Sequence, residues 1–484
     1  MPDLDAIVVG AGPNGLAAAV VLARAGLSVR LYEAETTAGG GARTAELTLP
    51  GFLHDVCSAV HPMALASPFF RAFGLDQRID LRVPAISYGH PLDDGRAGLA
   101  YRDLAATADA LGRDGGAYRR LLGPLAEHAA QVAQLAATSL ARFPRHPFVL
   151  AALGSRAIEQ GTAAWNSRFA DAVAPAMLAG VIAHANRRLP DVGAASAGLV
   201  LAAHAHAAGW PVPVGGSQAI VDAMVADFIA HGGELVLNTR IRALAELPTS
   251  RAVLLDVTPR AFLGMAGNAL PSAYARRLSR FRYGNAVAKV DYALDGPVPW
   301  LAEELGRTPT VHLGGTRAEV AASERAVSEG RLPESPYVLV TQPSILDPSR
   351  APVGKQVLWA YTHVPPGSAA DRSDAVTAQI ERFAPGFRDR ILASVSSTAV
   401  QVESHNANYV GGDIASGDVS LGQLLRRPTL FDPWSTPVRG LYLAGASVAP
   451  GPGVHGMGGL NAAGRALARE FGIAKLPSLT PSTD

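Results

Sequence analysis

Three glycines and a glutamate near the start of the chain have the types and spacing to hold a pyrophosphate and a ribose. Gly10, Gly12 and Gly15 stand in the run Val8-Val9-Gly10-Ala11-Gly12-Pro13-Asn14-Gly15, and Glu33 follows roughly 20 positions on, as dinucleotide binding requires. Gly10 allows a tight turn, Gly12 lets backbone approach a phosphate, and Gly15 lets the next helix pack closely. Pro13 and Asn14 complete the loop at a helix N-terminus, whose free N–H groups and partial positive charge favour an anion. Glu33, with Ala34 beside it, can accept from a ribose hydroxyl. A second cluster, Gly39-Gly40-Gly41-Ala42-Arg43, sets bare backbone beside one guanidinium. Arg is a rigid, permanently charged fork, so this cluster suits the same pyrophosphate. An ordinary turn before a helix would need neither Glu33 nor Arg43.

These residues work only if an apolar strand precedes the glycines, an apolar helix follows, and Glu33 closes the next strand; residues 4–33 read that way. Far downstream, Gly440-Leu441-Tyr442-Leu443-Ala444-Gly445-Ala446-Ser447 reads as a strand ending in a turn. The chain then passes through 450–453 into a helix opened by Val454-His455-Gly456-Met457. Between these ends, Pro213-Val214-Gly215-Gly216-Ser217-Gln218-Ala219-Ile220 leads into a helix, a Gly232-Gly233 turn and a strand over 234–238, with Ile241 just beyond. Residues 251–259 look like a buried strand returning to the same sheet.

In this order, the segments resemble the phytoene desaturase-like branch of the amine-oxidase superfamily, and within it the pyridine nucleotide-disulfide oxidoreductase domain 2-like proteins. The resemblance runs from end to end through the first fingerprint, the 39–44 cluster with Gly51-Phe52 and Asp55, the 213–220 segment, and residues 445–464. It implies FAD rather than NAD(P) as cofactor. It also implies an α/β fold: a Rossmann-like FAD-binding domain of the glutathione reductase type, with a discontinuous α+β substrate domain built on an antiparallel sheet and a helical cap. Residues 1–75, 210–265 and 435–484 would form the first, and 76–209 and 266–434 the second. The resemblance sets Gly445, Ala446, Val454, His455, Gly456 and Met457 at the pyrimidine edge of the flavin, and backbone at Ile241 against the adenine. Two departures bear on substrate. His455 occupies a turn where carotene desaturases commonly have proline, and Cys57 stands where they often have glycine.

The rest of the sequence narrows the function. There is no second Gly-x-Gly-x-x-Gly after a strand with a following acidic residue, so a separate NAD(P)H domain is not expected. Electrons would leave to oxygen, a quinone or a carrier, or not leave at all. A formal net charge of +1 with mixed signs argues against nucleic acid. A single cysteine excludes an intrachain disulfide and suits a reducing cytoplasm. The first residues lack a basic n-region, and the apolar runs at 172–185 and 194–208 are interrupted and too short to span a bilayer. A peripheral membrane contact stays open. At 484 residues two domains are expected. Residues 104–142 and 148–208 read as a helical cap. Residues 286–294, 337–342, 356–364 and 398–403 alternate as antiparallel strands, and the 477–484 tail reads as flexible.

Among side chains beyond the fingerprint, His455 is the candidate proton-transfer group, its alternative being a turn residue with an incidental ring. His204 and His206 lack the third and fourth ligands a metal needs, so no metal site is expected. Cys57 reads as a buried inert thiol and His61 as packing, while Trp359 and Tyr361 can wall the ring or simply fill a core. Three functions follow: an FAD-dependent oxidoreductase desaturating or saturating a carbon–carbon bond of an apolar, polyene or isoprenoid-like small molecule; a non-redox flavin-dependent double-bond isomerase; and a non-enzymatic lipid- or prenyl-binding module.

Overall fold

The computed structural model describes residues 4–139, 141, 143–165 and 167–481, so the expected flexible tail falls outside it at 482–484. A five-stranded sheet takes strands from both ends and the middle of the chain, in the order Leu441–Leu443, Ser250–Leu255, Leu4–Val9, Val29–Tyr32, Glu234–Val236. Every pairing in it is parallel. Its central strand is a nearly unbroken apolar run, as a parallel sheet covered on both faces requires. Val9 lies opposite both Leu255 and Tyr32. The chain therefore leaves three neighbouring strands at one level, and Gly10, Asp256 and Glu33 come to the same carboxyl edge, where open α/β sheets bind ligands.

The helix Pro13–Arg24 begins with proline in its first turn, where the missing N–H has no partner to lose. It is buried from Asn14 to Ala23 and packs against the helices Met457–Glu470 and Gln218–Ala230. Gly459 makes the first contact tight, since a Cβ there would fall 1.8 Å from the Asn14 carbonyl oxygen.

The second sheet has seven strands, in the order Ile391–Ser397, Ala286–Leu294, Gln356–Val364, Val338–Thr341, Thr310–Leu313, Ile86–Pro91, Ala97–Tyr101. It is antiparallel except at one junction, where Thr310–Leu313 runs parallel to Ile86–Pro91. The expected strand over 398–403 is not one. Thr398 accepts from the Gln401 N–H while Gln401 reaches back to the Thr398 N–H, a capping box that starts the helix Ala399–His405. The strand in that region is Ile391–Ser397, just upstream.

Helices cover one face of this sheet. The reading over 104–142, whose positions 140 and 142 lie outside the described residues, resolves into Leu104–Ala110, Gly115–Glu127 and Ala129–Ala136. Pro147–Gln160, Val173–Ala183 and Val192–Ala207 follow, the last capped by Asp191 accepting from the Ala194 N–H. Leu339, Trp359 and Tyr361 share a core with these helices. Val290, Tyr292 and Leu358 face the opposite way, towards the helix Ser373–Phe383.

Candidate functional site

At the carboxyl edge of the parallel sheet, Gly10 turns with φ +96° and donates to the Tyr32 carbonyl at 2.8 Å. Gly15 sits so close beneath it that a Cβ would lie 1.8 Å from the Gly10 oxygen, so the glycine spacing read from sequence is enforced by contact. Glu33 is buried with both oxygens engaged: Oε2 accepts from the Ala11 N–H at 2.7 Å and Oε1 from the Glu35 N–H at 3.0 Å. The second cluster lies over the first. Gly39 donates to the Ala11 carbonyl at 2.8 Å, and a Cβ on Gly40 would be 3.3 Å from the Gly12 Cα. Arg43 donates through Nε to the Gly40 carbonyl at 2.9 Å and through Nη2 to His405 Nε2 at 2.7 Å.

The segment after the edge strand supplies the far wall. Thr239 and Asn238 donate to the carbonyls of Glu33 and Glu35, which sets Ile241 on the cavity beside them. At the other end, a Cβ on Gly445 would meet Asp256 Oδ1 at 2.7 Å, and Gly456 takes φ +68° to enter its helix. The Gly458 N–H donates to Asn14 Oδ1 at 3.1 Å, joining the two helix starts.

His455 is buried in this turn. Its Nε2 donates to the Gly451 carbonyl at 3.2 Å and its Nδ1 accepts from the Met457 N–H at 3.0 Å. Burial, above all, lowers its pKa to about 4. Both ring nitrogens hold backbone, so a proton-transfer role would first require breaking the turn.

These parts surround one cavity of about 790 Å³. Gly10, Gly12, Pro13, Asn14, Glu33 and Ala34 line one end together with Gly40, Gly41, Ala42, Arg43 and Ile241, and Ala446, Val454 and His455 line it from the C-terminal side. Gly15, Gly445, Gly456 and Met457 stand behind that wall. The same cavity continues under the cap helices, where Leu135, Leu153 and Leu201 face Leu339, Trp359 and Tyr361 from the seven-stranded sheet. Trp359 and Tyr361 meet edge to face, with centroids 5.1 Å apart and planes at 85°. His184 and Trp210 close the side.

Several contributors are not visible as site residues in the sequence. Asp256 is buried between the glycine loops, and its Oδ2 accepts from the Gly15 N–H at 2.9 Å. Burial raises it to about 7, opposed by that hydrogen bond and reinforced by Glu33. Asn408 brackets it, donating to the Asp256 carbonyl at 2.9 Å. Behind the aromatic pair, Lys289 is buried against Asp291 at 2.6 Å and lies 5.6 Å from the Trp359 ring centroid. Burial lifts Asp291 to about 6 against the pull of Lys289. Asp55 pairs with Arg350 at 2.7 Å, both fully buried, and also accepts from Thr44 and from the Ser217 N–H. A buried pair of this kind is costly to break by removing one partner. The signal for Lys289 and Asp291 is two charges on an otherwise apolar strand, and Arg350, in a short helical turn, has none.

Of the remaining candidates, Cys57, His61 and His206 have protein partners, while His204 Nε2 is buried without one. Cys57 lines the cavity, and burial pushes its thiol up, away from the reactive thiolate. His61 donates to Ser217 Oγ at 2.7 Å. His206 donates through Nδ1 to the Tyr101 carbonyl at 2.7 Å and accepts from the Tyr118 hydroxyl at 2.9 Å. Among the described residues no helix is long and apolar enough to cross a membrane.

The glycines and donors fit a flavin dinucleotide. Bare backbone at Gly12 and Gly40 lines the cavity, with no room for a Cβ on Gly12 beside Asp256 Oδ2 at 2.9 Å; a cation stands beside it, and an anchored carboxylate follows the adjacent strand. The match with known proteins agrees. A family model described as flavin containing amine oxidoreductase matches residues 14–467. The chain is 26% identical to rat pyridine nucleotide-disulfide oxidoreductase domain-containing protein 2, over 96% of this chain and 93% of that protein. It is 27% identical to the neurosporene-forming phytoene desaturase of Rhodobacter capsulatus, over 50% of each. A solved structure of putrescine oxidase bound to putrescine superposes with a TM-score of 0.60 at 18% identity, covering 97% of this chain and 99% of that one.

Proposed function

The chain belongs to the flavin-containing amine oxidoreductase family, and from that membership we propose that it desaturates or saturates a carbon–carbon bond in an apolar, polyene- or isoprenoid-like small molecule. The observation that carries this reading is continuity: the dinucleotide end and the space beneath the cap helices, lined by Leu135, Leu153 and Leu201, belong to one cavity. A substrate class with charged groups would leave them unpaired there.

FAD is the cofactor, and it supplies the hydride chemistry when bound. Glu33 accepts from its ribose; Gly12, Gly40 and Arg43 receive the pyrophosphate; Ile241 borders the adenine; and Ala446, Val454 and His455 border the flavin ring. His455 acts by holding the turn. The cofactor is held by residues 1–75, 210–265 and 435–484, and substrate by 76–209 and 266–434. Leu135, Leu153 and Leu201 exclude water, and Trp359 with Tyr361 limits the orientation of a flat chain.

The test is spectroscopic. Purified protein should show flavin absorption, release FAD on denaturation, and bleach anaerobically with phytoene in detergent micelles. Reoxidation by oxygen, a quinone or a carrier then identifies the acceptor. A loaded flavin that bleaches with a primary amine panel and not with the polyene would transfer the assignment to amine oxidation.

A further inference from the structure

Three polar side chains stand in line across the seven-stranded sheet, and the functional reading above gives their hydrogen-bonding groups no task. Thr310 is registered opposite Thr341, and Thr341 opposite Trp359. Residues directly opposite in an antiparallel ladder project from the same face, about 5 Å apart. That face is the one turned to the cap helices, since Trp359 and Leu339, two positions from Thr341, share a core with them. Thr310, Thr341 and Trp359 all line the cavity, and each is at least nine-tenths buried. Thr310 Oγ1, Thr341 Oγ1 and Trp359 Nε1 have no hydrogen-bond partner. Native proteins leave few buried polar atoms in that state, and here three successive strands each contribute one. Packing gives no reason for them, because valine fills the shape of threonine without the hydroxyl.

We propose that this row is a substrate subsite that takes one uncharged oxygen, a hydroxyl or a carbonyl, carried on an otherwise apolar, isoprenoid-like chain. The subsite rests on the carbon–carbon redox reading above and narrows its substrate class.

The donor set decides the ligand chemistry. An indole N–H only donates, so the atom it meets must accept; a threonine hydroxyl donates or accepts as its partner requires. An ammonium group has no lone pair to offer the indole. A carboxylate would bring a charge with no cation free to meet it. The cation next along the face is Lys289, and its Nζ is spent on both oxygens of Asp291 and on the Asp55 carbonyl. Asp291 itself lies opposite Trp359 in the ladder, so the line ends on a negative group that repels a second one. A neutral oxygen meets all three side chains without a charge to bury.

Such an anchor solves a problem that an apolar cavity creates. A plain hydrocarbon among leucines slides, because neighbouring registers bury the same apolar area. One hydrogen-bonded oxygen fixes the register, so the same carbons meet the flavin in every turnover.

The test uses the FAD-loaded protein and four isoprenoids that share one carbon skeleton, farnesene, farnesol, farnesal and farnesoate, titrated by calorimetry in detergent micelles. Farnesol and farnesal should each bind about 10-fold tighter than farnesene, with farnesoate weakest. The carbonyl stretch of bound farnesal should lie below its value in hexane. Thr341→Val and Thr310→Val should each shrink the farnesol preference, a comparison in which partition into micelles cancels. Their melting temperatures without ligand should hold or rise, because the hydroxyl removed had no partner. Equal wild-type affinity for farnesol and farnesene, tightest binding of farnesoate, or no binding of any of the four overturns the subsite, and phytoene bleaching still decides the redox reading. A farnesol preference that both variants keep also overturns it. A preference that the variants lose, in a protein whose flavin neither farnesol nor phytoene bleaches, supports the subsite and rejects the carbon–carbon redox reading.

Discussion

At the scale of single residues, the cofactor end depends on two carboxylates with opposite duties. Glu33 is doubly anchored, accepting from the Ala11 and Glu35 N–H groups. Replacing it with alanine should weaken FAD binding by about 1.5–3 kcal/mol, the worth of hydrogen bonds to a charged group, as read by calorimetric titration of apoprotein. Unchanged affinity would remove Glu33 from the ribose. Asp256 is raised to about 7 by burial, from an ordinary value near about 4. Between those values the folded protein holds a proton that the unfolded chain releases. The stability this contributes is full below about pH 4 and is lost as pH rises through about 7. Apoprotein melting temperature should therefore fall across that window, and less so in Asp256→Asn; an identical slope in the variant would assign the titration elsewhere. A pyrophosphate at Gly12 adds negative charge beside the same carboxyl, so FAD affinity should weaken above neutrality in the wild type and not in the variant. The sequence carried Glu33 because its spacing from Gly10 is local and fixed by one strand–helix–strand unit. It did not carry Asp256, whose partner Gly15 is 241 positions away.

At the scale of elements, alternation found three strands of the second sheet although they are buried along nearly their whole length, and failed where capping decides. The segment 398–403 alternates like a strand, yet Thr398 and Gln401 satisfy each other's backbone and begin a helix. Thr398→Ala should destabilise by about 1 kcal/mol in urea denaturation, whereas a strand there would tolerate it. The strand Ala286–Leu294 is buried along its whole length, so the pairing of Lys289 with Asp291 across one face shows only as two charges spaced by two. The strands Ile86–Pro91 and Ala97–Tyr101 were hidden within a stretch dominated by helices. The junction of Ile86–Pro91 with Thr310–Leu313 joins segments far apart in the chain, a relation no local pattern encodes.

At the scale of the whole molecule, one cavity ties the two sheets together, so cofactor and fold should be linked in stability. FAD at 100 times its dissociation constant should stabilise the native state by about 2.7 kcal/mol, seen as a rise in melting temperature with added FAD. A melting temperature independent of FAD would mean that the flavin binds folded and unfolded chain alike. The motif order was legible from end to end because each glycine cluster is a short local turn. The extent of the leucine-lined space was not, because it is made by helices and strands that meet only on folding.

The five-stranded sheet takes its first strand from residues 4–9 and its last from 441–443, and the second glycine-entered helix closes the site only at Met457–Glu470. During synthesis the ribosome must therefore release nearly the entire chain before the flavin has a complete seat. Until then the apolar central strand, meant to be covered on both faces, waits without its neighbours. A nascent chain of this design loads its cofactor late or not at all, and products that stop short of residue 441 should emerge colourless and dependent on chaperones.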